Sequence, residues 1–345
     1  MIGKAMDETV LLGHGSGGSM MQRIIDRVFL EAYGSDELRQ GNDAADLPGT
    51  APGERISFST DSFVVSPRFF PGGDIGHLAV CGTVNDVATA GAIPRYLSCA
   101  FILEEGFPME DLKRICQSMA RTAAEAGVRI VTGDTKVVNR GHGDGIYINT
   151  SGIGVIPAGR RLGGQYCRPG DRIIVSGTIG DHGITIMSCR EQLSFSANLK
   201  SDAAPLNHMI ESVLQAAPDT RCFRDPTRGG LASTLNELAS QSGCDMQVRQ
   251  ADVPVAEEVM GACELLGYDV FQVANEGKMV CVVPADQADA ALDAMRSSRY
   301  GAAAAVIGEV LEAPHSRVPR VELRTSFGSS RILDMLVGEQ LPRIC

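Results

Sequence analysis

Five aspartates, Asp43, Asp61, Asp86, Asp134 and Asp225, each stand beside Gly, Asn or Thr where a strand should end or a helix begin. Carboxylates gathered in one cleft repel one another, and hard divalent cations with oxygen ligands relieve that repulsion, typically Mg²⁺ shared with a phosphate. A chain of net charge −11 needs such a bridge to bind a polyphosphate. Any one of the acids is equally well explained as a helix N-cap or turn former. Their shared surroundings favour the joint reading. Four motifs carry it: Val84-Asn85-Asp86-Val87 within a helix, Gly133-Asp134-Thr135-Lys136 at a strand end, Asp225-Pro226-Thr227-Arg228-Gly229-Gly230 opening a helix, and Asn275-Glu276-Gly277-Lys278. The third offers backbone N–H groups and a helix dipole where a phosphate could dock. Lys136 reads as a surface lysine or, beside a carboxylate and a triphosphate, as a group that holds charge or moves a proton.

A second kind of chemistry sits at the end of the sequence, Leu341-Pro342-Arg343-Ile344-Cys345. Pro342 fixes φ and blocks helix continuation, so Cys345 is expected on a short extended arm that can leave the globule. Arg343 would lower its thiol pKa and a terminal carboxylate would raise it, which leaves a reactive thiol and an inert frayed end both open. The other nine cysteines form no CxxC pair and match no zinc spacing, so they are expected as small reduced core residues. No basic region followed by an apolar one opens the chain, which points to the cytoplasm.

The elements that must position these groups follow from composition and periodicity. With 345 residues, 44% hydrophobic and 21% charged, and no run near the ~20 apolar residues of a membrane span, the chain is expected to fold as two soluble α/β domains. Its acidity, without clustered Lys and Arg, argues against nucleic acid as partner. The absence of GxxxxGK[ST] excludes a P-loop, and the absence of HExxH and of any ligand spacing among the six histidines argues against a zinc hydrolase. Gly13-His14-Gly15-Ser16-Gly17-Gly18 lies between a short strand and a helix within Thr9 to Phe29 and fits GxGxxG. The following Tyr33 to Thr50 is polar, so the loop is expected as a flexible backbone donor and not a dinucleotide site. Strands are expected at Ile56–Asp61, Tyr96–Leu103, Val128–Val131 and Tyr147–Ile156, with helices over Gly76–Gly91 and Phe107–Gly127. After a Gly, Arg and Pro run at Pro157–Pro169, strands are expected at Asp171–Ser176, Met279–Val283 and Val306–Leu311, with helices from Leu231 to Gly243 and over Gln287–Met295. The expected organisation is a segment 1–40 with the Gly-rich loop, an N-terminal α/β domain 41–160, an α/β domain 166–313, and a tail 314–345.

The set Thr60-Asp61, Asn85-Asp86, Gly133-Asp134-Thr135-Lys136, Asp225 to Gly230 and Asn275-Glu276-Gly277, finished by Leu341 to Cys345, resembles the hydrogenase-maturation carbamoyl dehydratases, the HypE family, along nearly the whole chain. The internal motifs alone resemble the wider PurM-like superfamily of aminoimidazole-ribonucleotide synthetase, selenophosphate synthetase and thiamine-monophosphate kinase, which implies ATP use. A selenophosphate synthetase would carry Cys or selenocysteine in the Gly-rich loop, where this chain has His14 and Ser16. Asn42 precedes Asp43 where relatives often have a second acid, which puts one metal ligand in question.

The resemblance implies a two-domain aminoimidazole-ribonucleotide-synthetase-like fold, each half a mixed sheet with packed helices, and a homodimer with ATP in a cleft shared between subunits. It implies a carbamoyl group placed on Cys345 by a HypF-like carbamoyltransferase, dehydrated with ATP to a protein thiocyanate, and a cyano group passed to iron-binding scaffold proteins of the HypC and HypD kind for a [NiFe]-hydrogenase. Asp43, Asp61, Asp86, Asp134 and Asp225 would hold Mg²⁺ and the triphosphate. Gly15, Gly17 and Gly18 would cover the phosphates, Asn85, Thr227 and Gly229 would support the site, and Lys136 and Glu276 would manage charge and proton removal. Glu276 reads equally as a turn residue. Two other readings stand beside this one: a synthetase or kinase of the same superfamily acting on a small molecule, and a carrier whose nucleotide cleft is regulatory.

Overall fold

The computed structural model describes residues 18–26, 39–49, 51–191, 199–314, 316–335 and 343–345. Of the Gly-rich loop, only Gly18 lies among them, as the first residue of helix α1 (Gly18–Ile24); Gly15 and Gly17 lie outside the described residues.

The first sheet is built from β1 (Ala45–Pro48), β2 (Arg55–Phe63), β5 (Ile93–Glu104), β6 (Arg129–Val138) and β7 (Ile146–Ile156), in the order β1-β2-β7-β5-β6. A short hairpin, β3 (Phe69–Phe70) and β4 (Gly73–Asp74), leads into α2 (Ile75–Thr89). That helix starts where Asp74 accepts the Gly76 and His77 N–H groups at 2.8 and 3.0 Å, an N-cap that satisfies two orphan donors. Only Asp86 and His77 among its residues escape full burial, so α2 is a central helix, wrapped on all sides. The next helix, α3 (Met109–Ala126), is amphipathic by contrast, with Glu110 and Asp111 in its first turn and Gly127 closing it at φ 70°. It crosses α2 at Gly76, where a Cβ would lie 2.7 Å from the Ile115 carbonyl oxygen.

The second sheet has seven strands in the order β14-β13-β10-β12-β8-β11-β9. These are β8 (Arg172–Val175), β9 (Cys222–Arg224), β10 (Asp245–Arg249), β11 (Val280–Val283), β12 (Ala305–Leu311), β13 (Val321–Arg324) and β14 (Ser330–Ile332). Helices α4 (Asp181–Arg190), α5 (Asn207–Ala216), α6 (Gly230–Ser242), α7 (Glu257–Leu266) and α8 (Ala288–Arg296) complete this half.

One expectation fails here. Residues 314–345 were expected as tail, yet β13 pairs parallel with β10 and carries β14 at the sheet edge. Four-residue and three-residue strands are too short to show a period; their partner, not their pattern, makes them strands. The cysteines also divide: Cys116 is exposed and Cys189 and Cys244 are half-buried, while six of the nine are buried as expected.

The main buried cluster runs through both sheets, from Phe63 and Ile75 to Ile173, Val280 and Leu323. Polar clamps join the halves: Asn85 Nδ2 donates to the Ala204 carbonyl at 3.0 Å and Asn85 Oδ1 accepts the Leu206 N–H at 2.7 Å. Nearby, Arg160 pairs in two-pronged fashion with Glu211 at 2.7 Å. Among the described residues, no helix is long and apolar enough to cross a membrane.

Candidate active site

The cleft opens where the inner face of β2 meets the middle of α2 and the loop before α6. Strand alternation turns Phe58 and Thr60 outward and Ser59 inward, toward α2. Asp61 lies against Gly82 of that helix, where a Cβ would stand 3.7 Å from Asp61 Oδ2 and 3.0 Å from the Phe63 ring. One turn on, Asp86 accepts the Ser59 hydroxyl at 2.9 Å. Asp43 is held by Arg224 Nε at 3.1 Å, and Arg224 also pairs with Glu237 at 2.6 Å. Asp225 is the residue after β9, so the sheet itself delivers it. Asp43, Asp61, Asp86 and Asp225 thereby line one open cleft of about 660 Å³, together with Thr227, Arg228, Glu276 and Cys345.

The four acids are electrostatically frustrated. Burial pushes Asp86 well above the ordinary carboxylate range and Asp225, Asp43 and Asp61 push it further, against the Ser59 hydrogen bond. Burial, with Asp43, takes Asp225 up to about 8 despite Arg224. Burial raises Asp61 and Asp43 as well, with Arg228 and Arg224 in opposition. Oxygen donors that resist ionising together fit a hard divalent cation. Among the described residues no three His, Cys, Asp or Glu side chains stand close enough to hold an ion unaided, so water or phosphate oxygens would complete its shell.

Glu276 is positioned by a crossing of two chain segments. Its N–H donates to Asp202 Oδ1 at 2.9 Å, and a Cβ on the following Gly277 would fall 1.7 Å from the Asp202 carbonyl oxygen. Asn275 fixes the approach from the other side, accepting the Gly180 N–H at 2.7 Å and donating to the Pro226 carbonyl at 2.9 Å. Glu276 Oε1 is buried without a hydrogen-bond partner. Burial, then Asp225, Asp61 and Asp202, hold its carboxyl well above the ordinary range.

The last residues are docked in this cleft and not extended into solvent. The Val64 N–H donates to the Cys345 carbonyl at 3.0 Å and the Ser66 N–H to the Arg343 carbonyl at 3.2 Å. Arg343 takes a positive φ of 51°, which departs from the extended arm that Pro342 suggested. Its guanidinium donates to the Val64 carbonyl at 3.2 Å and pairs with Asp144, so it is spent on docking. Arg228 takes the part expected of Arg343: it opposes the burial that pushes the Cys345 thiol up to about 12. Arg228 is itself raised, chiefly by Cys345.

The remaining expected site residues separate. Asp134 and Lys136 are on β6 and pair with each other, which holds the Asp134 carboxyl below its ordinary range. They do not join the cleft of their own chain. Strands β7 and β5 lie between β2 and β6, and three strand spacings amount to about 14 Å. The acid group of a single chain is therefore four, not five. Asn85 is turned inward to clamp the two halves and does not reach the cleft. Thr227 lines it, and Gly229 starts α6 at φ 80°, where a Cβ would strike Ser233 Oγ at 2.1 Å. Sequence reasoning passed over Ser59, Arg224 and Arg228. The last two adjoin or lie inside the Asp225 motif, and a cation beside each acid was the available signal.

Residues 41–156 match the model of the N-terminal domain of AIR synthase related proteins, and residues 168–320 match that of their C-terminal domain. Over 337 residues the chain is 54% identical to carbamoyl dehydratase HypE of Azotobacter vinelandii, covering 98% of this chain and 97% of that one. The chain belongs to the HypE family of carbamoyl dehydratases. It is also 54% identical to the HypE of Cupriavidus necator, over 97% of this chain and 94% of that one. Among solved structures, hydrogenase maturation protein HypE in complex with ATP is 50% identical at a TM-score of 0.82, with 98% and 100% of the two chains covered. The HypE of a HypE-HypF complex superposes at a TM-score of 0.85 and 48% identity, over 91% and 99%. Thiamine monophosphate kinase of Aquifex aeolicus, 16% identical with a TM-score of 0.65, shares the fold alone.

Proposed function

We propose that this HypE-family chain dehydrates an S-carbamoyl group on its own Cys345, using ATP, and yields a protein thiocyanate, ADP and phosphate. The observation that carries the reading is the Cys345 thiol lying in the same cleft as four aspartates, Arg228 and Glu276. A carbamoyl group on that sulfur would stand where a triphosphate could reach its oxygen. That oxygen attacks the γ-phosphorus while one N–H proton leaves, and the C–O bond of the resulting phosphorylated imidate then breaks as the second N–H proton leaves. The carbamoyl oxygen ends in phosphate, so no free water is formed.

Asp43, Asp61, Asp86 and Asp225 fit the Mg²⁺ that would neutralise the triphosphate. The start of α6, with Thr227 and Gly229, offers N–H donors to phosphate oxygens, as Gly15, Gly17 and Gly18 would. Arg228 holds the negative charge that grows on the carbamoyl oxygen. Glu276, ionised once cations share the cleft, takes an amide proton. Asp134 and Lys136 serve the cleft of a second copy. The outer face of the first sheet supports a homodimer, since Phe58, Tyr96, Ile102 and Ile153 are each at least 40% exposed there. A HypF-like protein supplies the carbamoyl group, and scaffold proteins of the HypC and HypD kind accept the cyano group for hydrogenase iron, in the cytoplasm.

Intact mass spectrometry tests this. After incubation with the carbamoyltransferase, carbamoyl phosphate and ATP, the protein should gain one carbamoyl group and, with further Mg-ATP, fall by the mass of one water, a change denoted water loss. Cys345→Ala should do neither. An unchanged mass with ATP still hydrolysed would favour the small-molecule enzyme instead.

A further inference from the structure

Among the buried titratable groups that the mechanism leaves unused, His182 touches the docked tail. His182, the second residue of α4, is fully buried. Its Nε2 lies 2.6 Å from the Ile344 carbonyl oxygen and its Nδ1 lies 2.7 Å from Ser201 Oγ. The chemistry of the partners fixes the tautomer. A carbonyl can only accept, so Nε2 carries the proton. Nδ1 then accepts the Ser201 hydroxyl, and Ser201 Oγ in turn accepts the Ala203 N–H at 3.1 Å. Burial favours this neutral ring by lowering its affinity for a second proton.

The surroundings keep the ring in that orientation. The Phe70 ring meets it edge-on at 5.7 Å. Ser201 is fixed by its N–H to the Pro71 carbonyl at 2.8 Å, and a Cβ on Gly72 would press within 2.6 Å of the Ser201 carbonyl oxygen. The hairpin β3–β4, α4 and the segment at Ser201 thus build a rigid seat that hydrogen-bonds the tail through His182 Nε2. Ile344 itself is 4% exposed in that seat, and the next residue is Cys345.

We propose that His182 is a positioning residue for the dehydration: its Nε2–H, held in that tautomer by Ser201, grips the Ile344 carbonyl and so sets the Cys345 sulfur against Arg228 and Glu276. No covalent step passes through it. The inference rests on the reading of Cys345 as the carrier of the carbamoyl group. Two steps then make opposite demands. A carbamoyltransferase can reach the sulfur only when the tail is out of its seat, whereas dehydration needs it seated. A seat residue should affect the second step and spare the first, which a residue needed only for folding would not do.

The test uses the full chain with His182→Phe, Ser201→Ala and His182→Gln, whose amide can place a donor where Nε2 stands. Carbamoylation and ATP-dependent water loss are followed separately by intact mass, and alkylation of Cys345 by iodoacetamide is timed by peptide mass. Loss of one buried hydrogen bond should slow water loss by about tenfold in His182→Phe and Ser201→Ala, with carbamoylation undiminished and alkylation of Cys345 faster. His182→Gln should recover most of the rate. Ser201→Ala carries the test if His182→Phe does not fold. Equal rates of water loss in all variants, or a parallel drop in both steps, would overturn the assignment. If wild-type Cys345 takes no carbamoyl group, the functional reading fails by itself, while the alkylation rates still report whether His182 seats the tail.

Discussion

Arg228 and Cys345 illustrate how a single pair of residues sets the chemistry. The thiol is pushed up to about 12 by burial, and Arg228 is the first group to oppose that shift. Removing the cation should therefore raise the thiol pKa further and leave the growing charge of the carbamoyl oxygen unanswered. In Arg228→Met, the pH midpoint of Cys345 alkylation should move up, and ATP-dependent water loss should slow by roughly 10²-fold, as loss of a charge-stabilising donor does. A midpoint that stays or falls would detach Arg228 from the sulfur. The acids were legible in the sequence because four of them come from short motifs of similar composition. His182 and Ser59 were not, because a single His or Ser belongs to no spacing that would betray it, and their partners are 162 residues away in one case and 27 in the other.

At the scale of elements, periodicity carried most of the fold. Helices α2 and α3 and strands β2, β5 and β7 lie where their patterns placed them, with ends shifted by a few residues. The short strands β13 and β14 were invisible, since a partner strand and not a local pattern makes them. The strand β6 was legible as a strand but not as an edge, and its edge position is what removes Asp134 and Lys136 from their own chain's acid cleft. If those residues act across a dimer, their defect can be complemented. Equal mixing of Lys136→Ala and Cys345→Ala chains, unfolded and refolded together, should restore about a quarter of the wild-type rate of water loss, because half the dimers are mixed and one cleft in each is whole. Each variant refolded alone should stay inactive. A mixture as inactive as its components would mean that Lys136 works within its own chain or not at all.

For the molecule as a whole, the Gly, Arg and Pro run near residue 160 is the one local mark between the halves, and the continuity of the core across it has no local signal. Clamps such as Asn85 to Ala204 join positions 119 residues apart, beyond any local pattern. The whole also has a pH signature made of two opposing sets. Glu211 and Asp245, lowered chiefly by Arg160 and Arg317, contribute stability above the ordinary carboxylate range that is lost as pH falls through their folded values. The cleft acids run the other way. Between the ordinary range and about 8, folded Asp225 keeps a proton that the unfolded chain has shed, so stability declines as pH rises through that window. Without cations the Tm should peak in mild acid and fall toward about pH 8, and Mg-ATP should flatten the fall. A Tm that climbs over this range, measured by calorimetry with and without Mg-ATP, would mean that the acids are not strained together. A last consequence comes from the way the tail is held. The hydrogen bonds to Ile344 and Cys345 reach their main-chain carbonyls, with the Arg343 side chain on Asp144 and the Ile344 side chain buried, so register along the chain decides where the sulfur lies. One glycine inserted between Ile344 and Cys345 would leave the Ile344 carbonyl on His182 and carry the sulfur by up to about 3.3 Å along the chain, away from Arg228 and Glu276. Such a chain should still accept its carbamoyl group yet never lose the water, whereas Ile344→Leu should do both: a ruler fails by one unit, not by one letter.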